Sequence, residues 1–483
     1  MSCFAKKYDK VCPGKCCKKG DVWIADMGHG EAIAFKKDSQ YYLRDFGESS
    51  GTRKSGCSVA KILSSSPCHP ECPFGADCVF KTVRQRTDMK WNAILSHPHQ
   101  DHFKGFHELY QINKTKGSDG KIFETAYLPK MLHPSEEEIA ILSRKIEACL
   151  LMICSASSRG RQDSPADAFN FLVYEIVMSA LSKRVIHLSA TVRESESEHK
   201  FPGDIFYPIK SVINDEIVLG KSKLESILTD LHRSNSFPDL MGKISSTAAD
   251  VTKIILKYCS SDHDSSGSED FDYKQILHLV TGLKKEIKKQ FGFRKVSEDF
   301  IFTQILDETR NSIDDSSLVF TVDLTQDMVN YTDCAFCAQV PPCRRCEDDK
   351  ECNIPTCPVG LALCKGKSDG IIRRWLFLGD NSDSAVKALY ANPLLHVPCH
   401  FIKAGHHGSR GGKALNEMGV KSNCVVACYG DGGKCSDPQE SYLKIANCIV
   451  LTSLRSNHSV NGKDSIFSAA TDGRIKVLKS EAW

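Results

Sequence analysis

Long apolar runs are missing from this chain of 483 residues. No run reaches the length of about 18 residues that a membrane-spanning helix needs, and residues 1–7 lack the apolar core of a signal peptide. A surplus of one charge is missing as well, because 63 basic side chains are balanced by 60 acidic ones, which gives a net charge of +3. Overall charge therefore gives no indication of nucleic-acid binding, although local basic patches remain compatible with it. We expect a cytoplasmic protein with no membrane span.

Cysteine, by contrast, is abundant, with 23 residues. Because cytosolic thiols are kept reduced, metal binding or simple burial is the expected use of these residues, and disulfides would require an oxidising compartment. Two Cys-x2-Cys pairs stand close together in residues 331–369, and this pairing is typical of a tetrahedral zinc site. The alternatives are disulfides and unligated thiols. The candidate ligands of a structural zinc ion are Cys334, Cys337, Cys343 and Cys346.

The most informative motif directly follows the apolar residues 92–95 and contains three histidines and one aspartate. Residues 92–95 are typical of the end of a buried strand, and Pro98 prevents a strand or a helix from continuing, so we expect the motif on a strand-to-helix turn. Imidazoles and a carboxylate at this spacing suit Zn²⁺, Mn²⁺ or Fe²⁺ and leave positions open for water. A histidine-rich surface turn is the alternative. The candidate ligands are His97, His99, Asp101 and His102.

Polar residues also follow other apolar segments of the chain. The apolar residues 375–378 lead to Asp380, and residues 400–404 lead to a Gly-His-His-Gly-Ser sequence. Upstream, an Asp-Met-Gly-His-Gly-Glu-Ala segment begins at Asp26, and a Leu-Arg-Asp-Phe-Gly segment contains Asp45. Such residues, at the ends of predicted strands, are further candidates for a common site.

Together these segments resemble the metallo-β-lactamase superfamily. His-x-His-x-Asp-His after a strand is similar to its first metal motif, and Asp380 resembles its bridging ligand. The Gly-His-His-Gly-Ser form narrows the resemblance to the ComEC competence-protein-like branch. His29 and Glu31 stand where the signature of that branch has glutamine and aspartate. The similar segments occur in the order of the family and span residues 21–410.

The resemblance implies an α/β fold, namely an αββα metallo-β-lactamase sandwich in which two mixed sheets pack face to face with helices outside and metals at one edge. Residues 20–208 would form the first half. Residues 311–480 would form the second half and contain the cysteine-rich insertion 331–369. Helical periodicity between the halves predicts a helical insertion at residues 209–310. This insertion is either a lid or partner surface, or an extension with no role in the chemistry.

The resemblance also implies a dinuclear site for two divalent ions, Zn²⁺ or Mn²⁺. Asp101 would additionally orient water, and His407 would protonate a leaving oxygen, although the roles of His406 and His407 could be exchanged. Asp26, His29 and Asp45 would orient the ligands. Ser409 and Arg410 would contact an anionic substrate. The implied metal ligands are His97, His99, Asp101, His102, Asp380 and His406.

The third histidine that many members use at the first metal position has no clear counterpart in this sequence. His133 and His187 are candidates by location, but a lone histidine is more often a surface or core residue. With fewer imidazoles, the first position would favour a hard cation such as Mn²⁺ over tight Zn²⁺ binding.

The expected function is a metal-dependent hydrolase that uses a metal-bound hydroxide. The resemblance implies a phosphodiesterase or nuclease that acts on a nucleic acid or another phosphodiester. One alternative is a hydrolase of small esters, lactones or thioesters. Another is a non-catalytic, cysteine-rich zinc-binding protein that meets a protein partner through the helical or the cysteine-rich insertion.

Overall fold

A computed structural model shows a mixed α/β protein with two mixed β-sheets. None of the helices in the described part of the chain is long and apolar enough to cross a membrane. The structure describes residues 22–25, 27, 30–37, 39–48, 58–64, 79–85, 90–115, 121–129, 136–155, 163–188, 201–207, 225–233, 238–259, 272–291, 300–325, 372–389, 399–428, 439, 441–451 and 476–479.

The first sheet has six strands in the order of the sequence. Strands β1 to β3 pair antiparallel, and β3 to β6 pair parallel to one another. The parallel strand β4 is buried on both faces, as expected for a strand covered by other layers. The strands are β1 (Val22–Ile24), β2 (Ala32–Lys37), β3 (Gln40–Phe46), β4 (Trp91–Ile94), β5 (Phe123–Pro129) and β6 (Ser182–Leu188).

The second sheet has seven strands in the order β13-β12-β11-β10-β9-β8-β7. Its central strands β9 to β12 are parallel, whereas β7, β8 and β13 are antiparallel to their neighbours. Strand β7 belongs to this sheet although its residues precede the predicted helical insertion. The strands are β7 (Asp204–Tyr207), β8 (Val319–Thr325), β9 (Ile372–Phe377), β10 (Cys399–Lys403), β11 (Ser422–Ala427), β12 (Ala446–Leu451) and β13 (Lys476–Lys479).

Three hydrophobic clusters show how these elements pack. One cluster contains residues of both sheets, and in it the rings of Phe35 and Phe377 stack with centroids 5.8 Å apart. A second cluster joins the other face of the first sheet to helices, and a third joins the other face of the second sheet to short helices. Burying one such aromatic or aliphatic side chain stabilises the fold by about 1.5–3 kcal/mol, so these clusters hold the layers together.

The helices of the predicted insertion pack against the helical layer beside the first sheet. Helices α6, α7 and α8 add their apolar faces to the same cluster as α4 and α5, and α9 contacts α4, α5 and α6. The helices are α1 (Val59–Leu63), α2 (Val79–Gln85), α3 (Gln100–Thr115), α4 (Glu136–Ser155), α5 (Asp163–Leu181), α6 (Glu225–Arg233), α7 (Pro238–Cys259), α8 (Lys274–Phe291), α9 (Phe300–Asp314), α10 (Asp383–Ala388), α11 (Gly412–Glu417) and α12 (Ser441–Ile445).

Strands β8 and β9 flank the cysteine-rich insertion and pair antiparallel from Phe320–Phe377 to Thr325–Ile372. The insertion itself, residues 331–369, lies outside the described residues, and with it the four cysteines predicted to bind zinc.

Candidate metal centre

The predicted strand-to-helix turn is confirmed. Strand β4 ends at Ile94 and α3 begins at Gln100, so the intervening residues form a tight loop around Pro98. The backbone N–H of Gln100 is one of the free donors at the helix start, and it donates to Asp167 Oδ1 at 2.8 Å. Helix α5 thereby fixes the beginning of α3. As a result His97, His99 and His102 are held in the interior.

The backbone of Asp101 is held by the loops that precede β2 and follow β3. The N–H of Glu31 donates to the carbonyl of Asp101 at 2.8 Å. A Cβ atom on Gly47 would lie 2.1 Å from the carbonyl carbon of Asp101, so only glycine allows this close approach. The start of α3 is therefore fixed on one side by α5 and on the other by these loops.

A first group of possible metal ligands consists of His97, His99 and Asp314. Asp314 is the last residue of α9. Its Oδ1 lies 2.8 Å from His99 Nδ1 and 3.7 Å from His97 Nε2. All three side chains are almost completely buried. Two imidazoles and one carboxylate thus converge on one point.

A second group consists of Asp101, His102, Asp380 and His407. Asp380 follows β9, and His407 lies in a short 3₁₀ turn after β10. His102 Nε2 is 3.3 Å from Asp380 Oδ2 and 3.9 Å from Asp101 Oδ1, and His407 Nε2 is 2.9 Å from Asp101 Oδ2. This group therefore joins the end of the first sheet to the end of the second.

Asp380 connects the two groups. Its Oδ2 lies 3.3 Å from His102 Nε2 and 3.7 Å from His97 Nε2, and its other oxygen, Oδ1, accepts the N–H of His406 at 3.1 Å. The N–H of Asp380 donates to Ser317 Oγ at 3.1 Å. These hydrogen bonds fix the carboxylate so that one oxygen is directed at both groups at once.

The geometry of the two groups fits metal ions. The Nε2 atoms of His97 and His102, which face the two groups, are buried and make no hydrogen bond with the described residues. Leaving such an atom without a partner costs about 1–3 kcal/mol, which coordination would offset. Ligand atoms that bind one ion at about 2.1 Å lie roughly 3.0–3.5 Å apart. The separations within the groups extend from 2.8 to 3.9 Å and so lie on both sides of that range.

Hydrogen bonds orient two of the imidazoles. His102 Nδ1 lies 3.0 Å from Asp45 Oδ2, and His407 Nδ1 lies 2.9 Å from the carbonyl oxygen of Cys428. A carbonyl only accepts, so Nδ1 of His407 donates to Cys428, and Nε2 is the nitrogen directed at Asp101. The contact of His102 with Asp45 directs its Nε2 at the site in the same way.

The charges around the site alter the ionisation of its groups. Burial alone lowers the pKa of His102, but attraction to Asp380, Asp101 and Asp45 outweighs burial and raises this pKa to about 10. Burial raises the pKa of Asp380, yet the neighbouring histidines hold it well below its usual range. The carboxylates of Asp101 and Asp380 are therefore ionised and available as ligands.

Behind His102 lies a buried cluster of four charged residues, Glu31, Arg44, Asp45 and Lys403, which we call the ion cluster. Glu31 contacts both Arg44 and Lys403, and Arg44 Nη1 lies 3.1 Å from Asp45 Oδ2. Arg44 also donates to the carbonyl of Leu378 at 3.0 Å, which connects β3 to the end of β9. The ligand atoms of Glu31, Asp45 and His102 are close enough to one another to hold a metal ion. Because two cationic side chains already neutralise the two carboxylates, we assign this cluster to structure.

The loop after β10 has an unusual backbone. His406 and His407 have φ angles of 41° and 57°, in the left-handed region that non-glycine residues rarely adopt. Each such residue costs on the order of 1–3 kcal/mol, and such strain is concentrated at functional sites. The loop is held by hydrogen bonds of Tyr442, whose hydroxyl oxygen accepts the N–H of Gly405 at 3.0 Å.

His406 and His407 have different positions. His407 is buried and belongs to the second group. His406 belongs to none of the three groups found among the described residues, and its Nε2 is 3.9 Å from Asp380 Oδ2 with 15% of the side chain exposed. Burial lowers the pKa of His406 to about 4. The sequence left open whether the roles of His406 and His407 are exchanged. The geometry favours the exchange, with His407 among the possible ligands and His406 beside them.

Other predicted residues belong to neither group. Arg410 donates to Asp314 Oδ2 at 2.8 Å and to the carbonyl of Asp380 at 3.2 Å, so its guanidinium supports the ligands directly. His187 Nε2 lies 3.1 Å from both carboxylate oxygens of Glu175, and His187 belongs to neither group. Asp26, His29 and His133 lie outside the described residues.

The sequence did not reveal Asp314. The candidates for a third ligand in the sequence were histidines, whereas the structure brings a carboxylate from the end of α9 to the first group. The available signal was the Asp-Asp pair that directly precedes the segment 316–320 at the start of β8.

Comparisons of the chain with protein-family models, with curated proteins and with solved structures found no match.

Proposed function

We propose that this protein is a metal-dependent hydrolase with an αββα sandwich of the metallo-β-lactamase type, and that it cleaves phosphodiesters. The observation that carries the proposal is the position of Asp380 Oδ2, 3.7 Å from His97 Nε2 and 3.3 Å from His102 Nε2. A carboxylate oxygen between two separate sets of ligands is the arrangement expected for two neighbouring ions that share it.

Each set supplies enough donors for one divalent ion and leaves positions for other ligands. The first ion would be held by His97, His99 and Asp314, and the second by Asp101, His102 and His407, with Asp380 shared. Bound divalent ions supply a water molecule activated for attack near neutral pH, together with positive charge for the oxygens of the substrate.

The side chains around the ligands would perform the remaining tasks. Asp101 is the most exposed of the second group, with 19% of its side chain accessible, so it can accept a hydrogen bond from the attacking water. His406 is on the accessible side beside Asp380 and Ser409, where it can contact the substrate. Asp45 and the carbonyl of Cys428 hold the imidazoles of His102 and His407 in fixed tautomers.

A phosphodiester is the favoured substrate because its hydrolysis spreads negative charge over several oxygens, which a pair of ions stabilises on both the attacking and the leaving side. An ester, lactone or thioester develops charge mainly on its carbonyl oxygen, which a single ion can stabilise. The two substrate classes therefore differ in their dependence on the shared ligand.

The experiment uses metal-free protein refilled with Mn²⁺ or Zn²⁺ and assayed with a single-stranded DNA oligonucleotide, bis(p-nitrophenyl) phosphate and p-nitrophenyl acetate. We expect phosphodiester hydrolysis that chelator abolishes and that Asp380→Asn reduces by roughly 10³-fold or more. Asp250→Asn, which changes an exposed carboxylate on α7, is the matched control. If the protein hydrolyses only the acetate ester, it is an esterase and the phosphodiesterase assignment is wrong. No hydrolysis of any substrate by the metal-loaded protein would refute the proposed function.

A further inference from the structure

The first metal position contains the carboxylate of Asp314, the last residue of α9. We infer that Asp314 shifts the metal selectivity of this position toward harder divalent cations, Mn²⁺ or Fe²⁺, by lowering its affinity for Zn²⁺ relative to theirs. The inference depends on the two-ion site of the proposed function but is independent of the substrate. It rests on the contacts of Asp314 and on the donor atoms around it.

Asp314 is directed at the histidines by its own contacts. Arg410 Nη1 donates to Oδ2 at 2.8 Å and thereby leaves Oδ1 directed at His99 and His97. Arg410 Nη2 donates to Asn311 Oδ1 at 3.2 Å, which connects the guanidinium to the same helix one turn earlier. The side chain of Asp314 is 1% exposed. A buried carboxylate held in this way is a preorganised ligand rather than a chance neighbour.

No other imidazole or thiol takes this place among the residues that the structure describes. His187 contacts Glu175, and His107 lies 2.6 Å from the hydroxyl of Tyr273. The buried cysteines Cys399 and Cys428 belong to none of the metal-binding groups found among the described residues. The first position therefore has two nitrogen donors and the carboxylate of Asp314, with a second carboxylate from Asp380.

This donor set has a chemical consequence. Imidazole nitrogen suits Zn²⁺, whereas carboxylate oxygen suits Mn²⁺, and two histidines with one carboxylate are the usual ligands of non-haem Fe²⁺. Zn²⁺ binds most nitrogen and oxygen sites more tightly than Mn²⁺ does. The selectivity meant here is therefore a smaller ratio of Zn²⁺ affinity to Mn²⁺ affinity than a site with three imidazoles would have. Replacing the carboxylate by an imidazole should increase that ratio.

The test measures metal binding, not activity. Metal-free full-length protein is titrated with Mn²⁺ and with Zn²⁺ against a chelator of known affinity, and the bound metals are counted by mass spectrometry. We expect Asp314→His to raise the ratio of zinc to manganese affinity at one of the two positions by at least about tenfold. Asp314→Asn should lose one ion, and Asp314→Glu should retain it. Asp307→Asn, an exposed carboxylate on the same helix, is the matched control.

An unchanged affinity ratio in Asp314→His, or two tightly held ions in Asp314→Asn, would overturn the inference. If Asp314→His fails to fold, as judged by circular dichroism and thermal unfolding, the comparison of Asp314→Asn with Asp314→Glu decides. The failure of the proposed function has a different signature, because a protein that binds two ions with the expected selectivity and hydrolyses nothing would retain this inference and lose the other.

Discussion

Removal of the Lys403 ammonium should destabilise the protein strongly, because the ion cluster is electrically neutral only when all four side chains are present. The side chains of Lys403 and Glu31 have 0% exposure and contact each other. Lys403→Met would leave the cluster with one uncompensated negative charge. Breaking a buried ion pair from one side costs about 3–5 kcal/mol, whereas an exposed pair contributes about 0.2–1 kcal/mol.

The assay is urea unfolding of Lys403→Met, Glu31→Gln and the double variant. Lys183→Met, which breaks an exposed pair with Glu124, is the control. We expect each single change in the cluster to cost about 3–5 kcal/mol. The double variant should cost less than the sum of the two, because it is neutral again. Burial and the positive charge of Arg44 lower the pKa of Lys403, so both oppose the charged form of the amine. A cost below about 1 kcal/mol for Lys403→Met would mean that the amine is neutral, and would refute the reasoning.

Three further changes test other parts of the account. Asp45→Asn keeps the shape but weakens the hold on His102, so metal affinity should fall by about 10–100-fold in a chelator competition, and unchanged affinity would contradict this role. Gly47→Ala should abolish hydrolysis because its Cβ would overlap the Asp101 backbone, and full activity would show that the loop can move. The double variant Cys334→Ser/Cys337→Ser should contain one zinc ion fewer by metal counting, while the two ions of the site remain. An unchanged zinc content would show that these cysteines do not bind a structural zinc ion.

The local elements were largely predictable from the sequence because hydrophobic spacing reports directly on local structure. The periodicity of residues 135–154 and 166–184 predicts helices, and the structure has Glu136–Ser155 and Asp163–Leu181. The segment at residues 204–207 predicts a strand, and Asp204–Tyr207 is β7. What spacing cannot report is which sheet a strand joins, since β7 pairs with β8 more than a hundred residues later.

The site was predictable where its ligands are close in sequence and hidden where they are not. His97, His99 and His102 share one turn, so their spacing alone indicates a metal motif. Asp314 reaches the site only because α9 packs against α4, α5 and α6, a tertiary contact without a local signature. The ion cluster had a faint signal, because Arg44 and Lys403 directly follow apolar residues of β3 and β10. A charge in a buried strand needs a partner, and only the fold identifies it as Glu31.

The most direct measurement is a crystal structure of the protein grown with Mn²⁺, with anomalous scattering recorded near the manganese absorption edge. The account predicts two peaks about 3.5–4 Å apart on either side of Asp380. One peak should be bound by His97, His99 and Asp314, and the other by Asp101, His102 and His407. A single peak, or two peaks that do not share Asp380, would contradict the claim that these residues form one dinuclear centre.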